Sequence, residues 1–148
     1  MPTSAPKPYL KPSENLVEQL KVTTSLEVFW EGSLALGIPG QNDIDLYIFS
    51  EPEEFDDNLP KIVSVLGTPT YILEDKILWR TIKDGHKIDA SLGSKNLEGV
   101  RNDMVFFNSL KGKPDLLQEY ITLKQGDLSA REYYQKKNEF YNRVINIK

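Results

Sequence analysis

Apolar positions along the chain follow two rhythms: short alternating runs up to residue 93, and helical stripes after it. Ser13 reads as the N-cap of a short helix ending near Val22, with Leu16, Val17 and Leu20 as its apolar stripe. Residues 26–30 predict a first strand and 43–50 a second. In the second, Ile44, Leu46 and Ile48 alternate with Asp43, Asp45 and Tyr47, so one face is apolar and the other carries carboxylates. A helix is predicted over 51–66, carrying Phe55, Ile62, Val63 and Leu66, with Pro60 limiting where it starts. Residues 71–73 read as a third strand. Runs 77–82 and 87–92 flank Asp84-Gly85, the signature of a tight hairpin. That hairpin sets Arg80 across from Asp89, whose face also carries Lys87 and Ser91, while Ile88, Ala90 and Leu92 point inward.

After Gly93 three helical patterns follow, over 97–111, 114–125 and 129–146, separated by Gly112-Lys113-Pro114 and Gly126-Asp127. Strands mixed with helices, then helices alone, predict an α+β fold with a C-terminal helical subdomain. The expected organisation is a flexible, extended arm over 1–12, with four prolines, an α/β core over 13–95 and the helical subdomain over 96–148. At 148 residues these form one compact domain overall.

Composition narrows the partners. With 39% hydrophobic and 27% charged residues, no membrane-spanning run and no signal-peptide core, the expected location is the cytoplasm. Zero cysteines removes disulfides, zinc–thiolate sites and cysteine nucleophiles together. A formal charge of −4 argues against broad, nonspecific nucleic-acid binding.

The chemistry concentrates in three places. Asp43 and Asp45, at i and i+2 on a strand, have alpha carbons about 6.6–6.8 Å apart and leave the same face. Both can converge on one metal ion or a pair about 3.5–4 Å apart. Oxygen ligands of this kind suit magnesium, with manganese as the alternative ion. Asp89, from another strand, can complete the site or accept the proton of an attacking hydroxyl. Gly32-Ser33, after an apolar run, reads as a turn bringing backbone N–H groups and a rotatable hydroxyl to phosphates, and Ala35, Gly37 and Gly40 keep the following loop small. A bare Asp-x-Asp is common at strand ends, and Gly-Ser is commoner still. The specificity lies in the ordered combination.

This combination resembles the nucleotidyltransferase superfamily, whose signature is a Gly-Ser turn, an Asp-x-Asp or Asp-x-Glu strand and a third acidic residue downstream. Within it the chain is most similar to the GrpB-like family of minimal nucleotidyltransferases. The resemblance runs from Leu26 to Ile147 and rests on Gly32-Ser33-Leu34-Ala35, Ile38-Pro39-Gly40 and Asp43-Ile44-Asp45. It continues in Phe106-Phe107-Asn108-Ser109-Leu110-Lys111 with Pro114, then Tyr120 with Leu123-Lys124, then Tyr133, Lys137 and Phe140. The chain departs from the family at Glu31, where a His usually precedes Gly-Ser, at Lys87-Ile88-Asp89, where His-x-His is frequent, and at Phe107-Asn108, in place of Arg-Asp.

The resemblance implies a nucleotidyltransferase-like mixed β-sheet with flanking helices, and a magnesium-dependent transfer of a nucleoside monophosphate from a triphosphate, ATP by expectation, to an unidentified hydroxyl acceptor. Asp43, Asp45 and Asp89 would be the catalytic and metal-binding residues, and Gly32, Ser33, Lys124 and Lys137 the nucleotide- and phosphate-binding ones, with Arg80 added to the second set from its place on the hairpin and not from the family match. Lys124 and Lys137 fall on stripes otherwise apolar, so each either snorkels or meets phosphate across a cleft. Arg80 either pairs with Asp89 across the strands or binds phosphate. His86 reads as an exposed loop residue, Trp30 and Trp79 as core or cleft-wall aromatics, and the acidic run from Glu51 to Asp57 as a solvated helix start. Two rival functions remain: a noncatalytic member of the fold that binds nucleotide or a protein partner, and a glycosyltransferase using Asp-x-Asp. The second lacks the expected alternating strand–helix pattern.

Overall fold

In the computed structural model, residues 7–38 and 43–146 are described, with side chains from Pro12 onward. The first helix, α1 (Lys7–Thr24), starts six residues before Ser13, which lies inside it and is buried. Pro8 falls among the first four positions, whose N–H groups lack partners in any helix, and Pro12 removes a single hydrogen bond. The extended arm expected over 1–12 is therefore helical from Lys7, and its first six residues lie outside the described ones. The Thr24 hydroxyl ends α1, donating to the Leu20 carbonyl at 2.6 Å and accepting from the Leu26 N–H at 3.1 Å.

Strand β1 (Val28–Glu31) runs straight into a five-residue helix, α2 (Gly32–Leu36), so Gly32-Ser33 opens a helix rather than a turn. Gly40 lies outside the described residues. Strand β2 (Ile44–Phe49) leads through a 3-10 turn, Pro52–Glu54, into α3 (Phe55–Leu66). The short β3 (Tyr71–Ile72) precedes the hairpin of β4 (Lys76–Lys83) and β5 (His86–Gly93). Asp84 and Gly85 both have positive φ, as a two-residue type I′ turn requires. His86, expected in the loop, opens β5 and is half-buried.

The five strands form one mixed sheet in the order β1-β2-β5-β4-β3, with β2 and β5 parallel and the other neighbours antiparallel. Helices α1 and α3 cover one face, burying Leu20, Ile48, Ile62, Trp79, Ala90 and Leu92 in a common core. Trp79 is fully enclosed, and its indole N–H donates to the Gly67 carbonyl at 2.8 Å.

The remaining helices are α4 (Glu98–Gly112), α5 (Pro114–Gln125) and α6 (Ala130–Ile145). They enclose a second core of Ile38, Leu110, Tyr120, Ile121, Phe140 and Val144. Phe107 on α4 meets Phe29 on β1 edge to face, ring centroids 5.3 Å apart, which seats the helices against the opposite face at the β1 end of the sheet. Among the described residues no helix is long and apolar enough to cross a membrane.

Candidate active site

The sheet lines up four charged positions in one cross-strand row. Glu31 on β1 pairs in register with Asp45 on β2, Asp45 with Asp89 on β5, and Asp89 with Arg80 on β4. The alternation explains their common face: the neighbours Ile44, Leu46, Ile88 and Ala90 are buried beneath α1 and α3. Acidic side chains on adjacent positions repel one another. Burial, then Asp89 and Asp43, push the Asp45 carboxyl up to about 7, against the pull of Lys124. Glu31 rises further, to about 8, through burial and then the charges of Asp103, Asp45 and Asp89. Burial also raises Asp89, where the Arg80 guanidinium opposes the shift and Asp43 adds to it.

Asp43 precedes β2, and its Oδ1 is buried with no hydrogen-bond partner among the described residues. Gly32 stands directly against Asp45: a Cβ there would lie 2.1 Å from the Asp45 Oδ2. Among the described residues no three acidic or histidine side chains are drawn together as a finished metal cage. The donor chemistry nevertheless fits a hard divalent cation. Asp43, Asp45 and Asp89 offer only carboxylate oxygens, one of them buried and unpartnered, and their repulsion is of the kind such an ion relieves.

Two clefts meet at this row. The first, about 670 Å³, is lined by Gly32, Ser33, Asp43, Asp45, Lys124 and Lys137, with Phe106, Tyr120, Tyr133 and Tyr141 among its walls. The Lys124 ammonium donates to the Ser33 hydroxyl and lies 4.9 Å from the centre of the Tyr120 ring. Burial and then Lys137 lower the Lys124 pKa, while Asp45 opposes them. Lys137 stands 5.9 Å from the Tyr133 ring centre. Both lysines thus line a cleft wall, half-buried.

The second cleft, about 560 Å³, contains Asp89 and Arg80 together with Leu78, Ser91, Ser94 and Leu97. Glu31, Asp45 and Asp103 line both. Arg80 is therefore separated from the other expected phosphate-binding residues. Nor does it form an ion pair with Asp89 among the described residues; its guanidinium lies over the Tyr71 ring, 5.8 Å from the centre. Trp79 belongs to the core, and Trp30 is half-buried.

Glu31 and Asp103 line both clefts, although the sequence singles out neither as a site residue. Glu31 could have been found by extending the antiparallel β1–β2 register from Asp45, because it immediately precedes Gly32. Asp103, on α4, accepts hydrogen bonds of 2.6 Å from the hydroxyls of both Tyr47 and Tyr141. A lone Asp on a helix gives no local signal of that role.

No protein-family model matches this sequence, and no curated protein matches it. Similarity appears among solved structures. A structure of Cid1, described by its RNA terminal uridylyl transferase activity, superposes with a TM-score of 0.58 at 17% identity, over 83% of this chain and 42% of that one. A structure of the Cid1 poly(U) polymerase with magnesium and 3′-dATP bound gives 0.46 at 16% identity, over 97% and 49%. The chain spans less than half the length of either, and the first likeness identifies its architecture as a nucleotidyltransferase fold.

Proposed function

We propose that this chain, built on the nucleotidyltransferase fold, moves a nucleoside monophosphate from a nucleoside triphosphate to a hydroxyl acceptor. The observation that carries the reading is the carboxylate row with a lysine- and serine-lined cleft on one side and a second cleft on the other. Asp43 and Asp45 would hold magnesium, with Asp89 completing the set. Bound there, the ion would neutralise triphosphate oxygens and make the α-phosphorus more electrophilic.

The chain's own groups do the rest. Gly32 gives the phosphates close access, and Ser33 and Lys124, already hydrogen-bonded, supply donors to them. Lys137 adds a second cation on the same wall. The acceptor enters the second cleft, where its hydroxyl oxygen attacks the α-phosphorus in line. The bond to the β-phosphate oxygen breaks, pyrophosphate leaves, and Asp89 takes the hydroxyl proton. ATP is the expected donor, and the GrpB-like likeness belongs to this reading.

The noncatalytic alternative has one observation in its favour: the described acidic groups are not gathered into a cage. It expects triphosphate binding without turnover. Release of labelled pyrophosphate, measured with a panel of hydroxyl acceptors, separates the two. Catalysis requires release by the native chain and a loss of roughly 10²-fold or more in Asp43→Asn and Asp45→Asn. Unchanged release in both variants refutes the metal role.

A further inference from the structure

Asp103 ties three elements together. Its Oδ2 accepts from the Tyr47 hydroxyl and its Oδ1 from the Tyr141 hydroxyl, each at 2.6 Å. Tyr47 lies two residues beyond Asp45 on the same face of β2, and Tyr141 lies one helical turn beyond Lys137 on α6. The bridge thus joins the strand bearing Asp45 to the helix bearing Lys137, with α4 between them. Two O–H···O bonds of this length to a carboxylate lie in the strong, charge-assisted class.

Other contacts fix the helices less directly. Phe106 packs against Tyr141 with ring centroids 4.9 Å apart, and Phe107 against Phe29 at 5.3 Å. These ring contacts are nondirectional compared with a carboxylate held at both oxygens. Burial, reinforced by the bond to Asp103, raises the pKa of both tyrosines, so each hydroxyl keeps the proton it donates. Asp103 also lines both clefts, at the partition between them.

We infer that Asp103 is a positioning residue: by holding Tyr47 and Tyr141 together it sets the gap between Asp45 and Lys137, and hence the grip on the triphosphate. The inference rests on the nucleotide-binding reading for its functional half. Its structural half stands without it.

Two measurements on the full chain test them separately. The chain has no cysteine, so nitroxide labels can be introduced at two exposed positions through Lys61→Cys on α3 and Gln135→Cys on α6. The pair gives a narrow distance distribution in the native background. Asp103→Ala should broaden or shift it, and Asp103→Asn, which can still accept one hydroxyl and donate its amide to the other, should restore it. The second measurement is equilibrium binding of a nonhydrolysable ATP analogue with magnesium.

Asp103→Ala should weaken that binding roughly tenfold, with Tyr47→Phe and Tyr141→Phe each costing several-fold. Neither tyrosine change should cost anything further once Asp103 is alanine. A distance distribution unmoved by Asp103→Ala overturns the inference. So do tyrosine effects that persist at full size in the Asp103→Ala background, or a lowered melting temperature with unchanged affinity. If the native chain binds no triphosphate while the distances respond, the proposed function fails and the positioning bridge stands.

Discussion

Gly32 lacks a side chain at the point where Asp45 needs the space. Its φ of +89° is already a conformation that side-chain-bearing residues avoid, and a Cβ would lie 2.1 Å from the Asp45 carboxylate. Gly32→Ala should therefore cost about 1–3 kcal/mol in backbone strain and displace Asp45 as well. Urea unfolding measures the first effect, and titration with a triphosphate and magnesium the second. Native affinity in the variant would show that Asp45 does not depend on this contact. At this scale the sequence is informative where chemistry is local: Gly-Ser and Asp-x-Asp stand out by themselves. Glu31 and Asp103 do not, because their importance comes from partners on other elements, Asp45 across the sheet and tyrosines 56 and 38 positions away.

Elements were the most legible level, since each rests on periodicity and breakers that lie close together. The strict alternation of β2, the Asp84-Gly85 hairpin and the breaks at Gly112-Lys113-Pro114 and Gly126-Asp127 all correspond to observed boundaries within a residue or two. Helix α1 starts earlier than its pattern predicts because prolines near a helix start cost little, while their count points to an extended arm. Helix α6 carries a device that can be tested alone. The Ser129 hydroxyl accepts from the Glu132 N–H at 3.2 Å and donates to the Glu132 carboxylate at 2.9 Å, a capping arrangement that anchors the first turn. Ser129→Ala should lower unfolding free energy by about 1 kcal/mol. Because Lys137 and Tyr141 lie two to three turns further on, analogue binding should stay within twofold of native. A larger loss would mean that fraying of the first turn reaches the cleft.

For the whole molecule, packing acidic groups in a row makes stability depend on pH. Asp45 and Glu31 rise from ordinary values of 3.8 and 4.5 to about 7 and 8. The folded chain therefore holds these protons more tightly than the unfolded one, and their contribution is complete below pH 4. It is lost as pH rises through 7 to 8, so the melting temperature of the metal-free protein should fall between pH 5 and pH 8. Magnesium should recover the loss at pH 8, where ionised carboxylates can bind it, and do little at pH 5. Glu31→Gln should flatten the upper part of the fall. A melting temperature that rises steadily across this interval would contradict the charge arrangement. The α+β class could be read from the order of elements, but the parallel β2–β5 pairing could not, since it joins positions 44 residues apart through register alone.

That pairing also governs when the molecule can be completed during synthesis. Of the five strands described, β5 is made last yet occupies the middle of the sheet, between β2 and β4. Until Gly93 has been made, the nascent polypeptide can form the β1–β2 ribbon but has nothing to bridge it to the later strands. Asp89 meets Asp45 only when that central gap is filled, so translation that stops before β5 leaves a product with the Asp-x-Asp strand and no assembled carboxylate row.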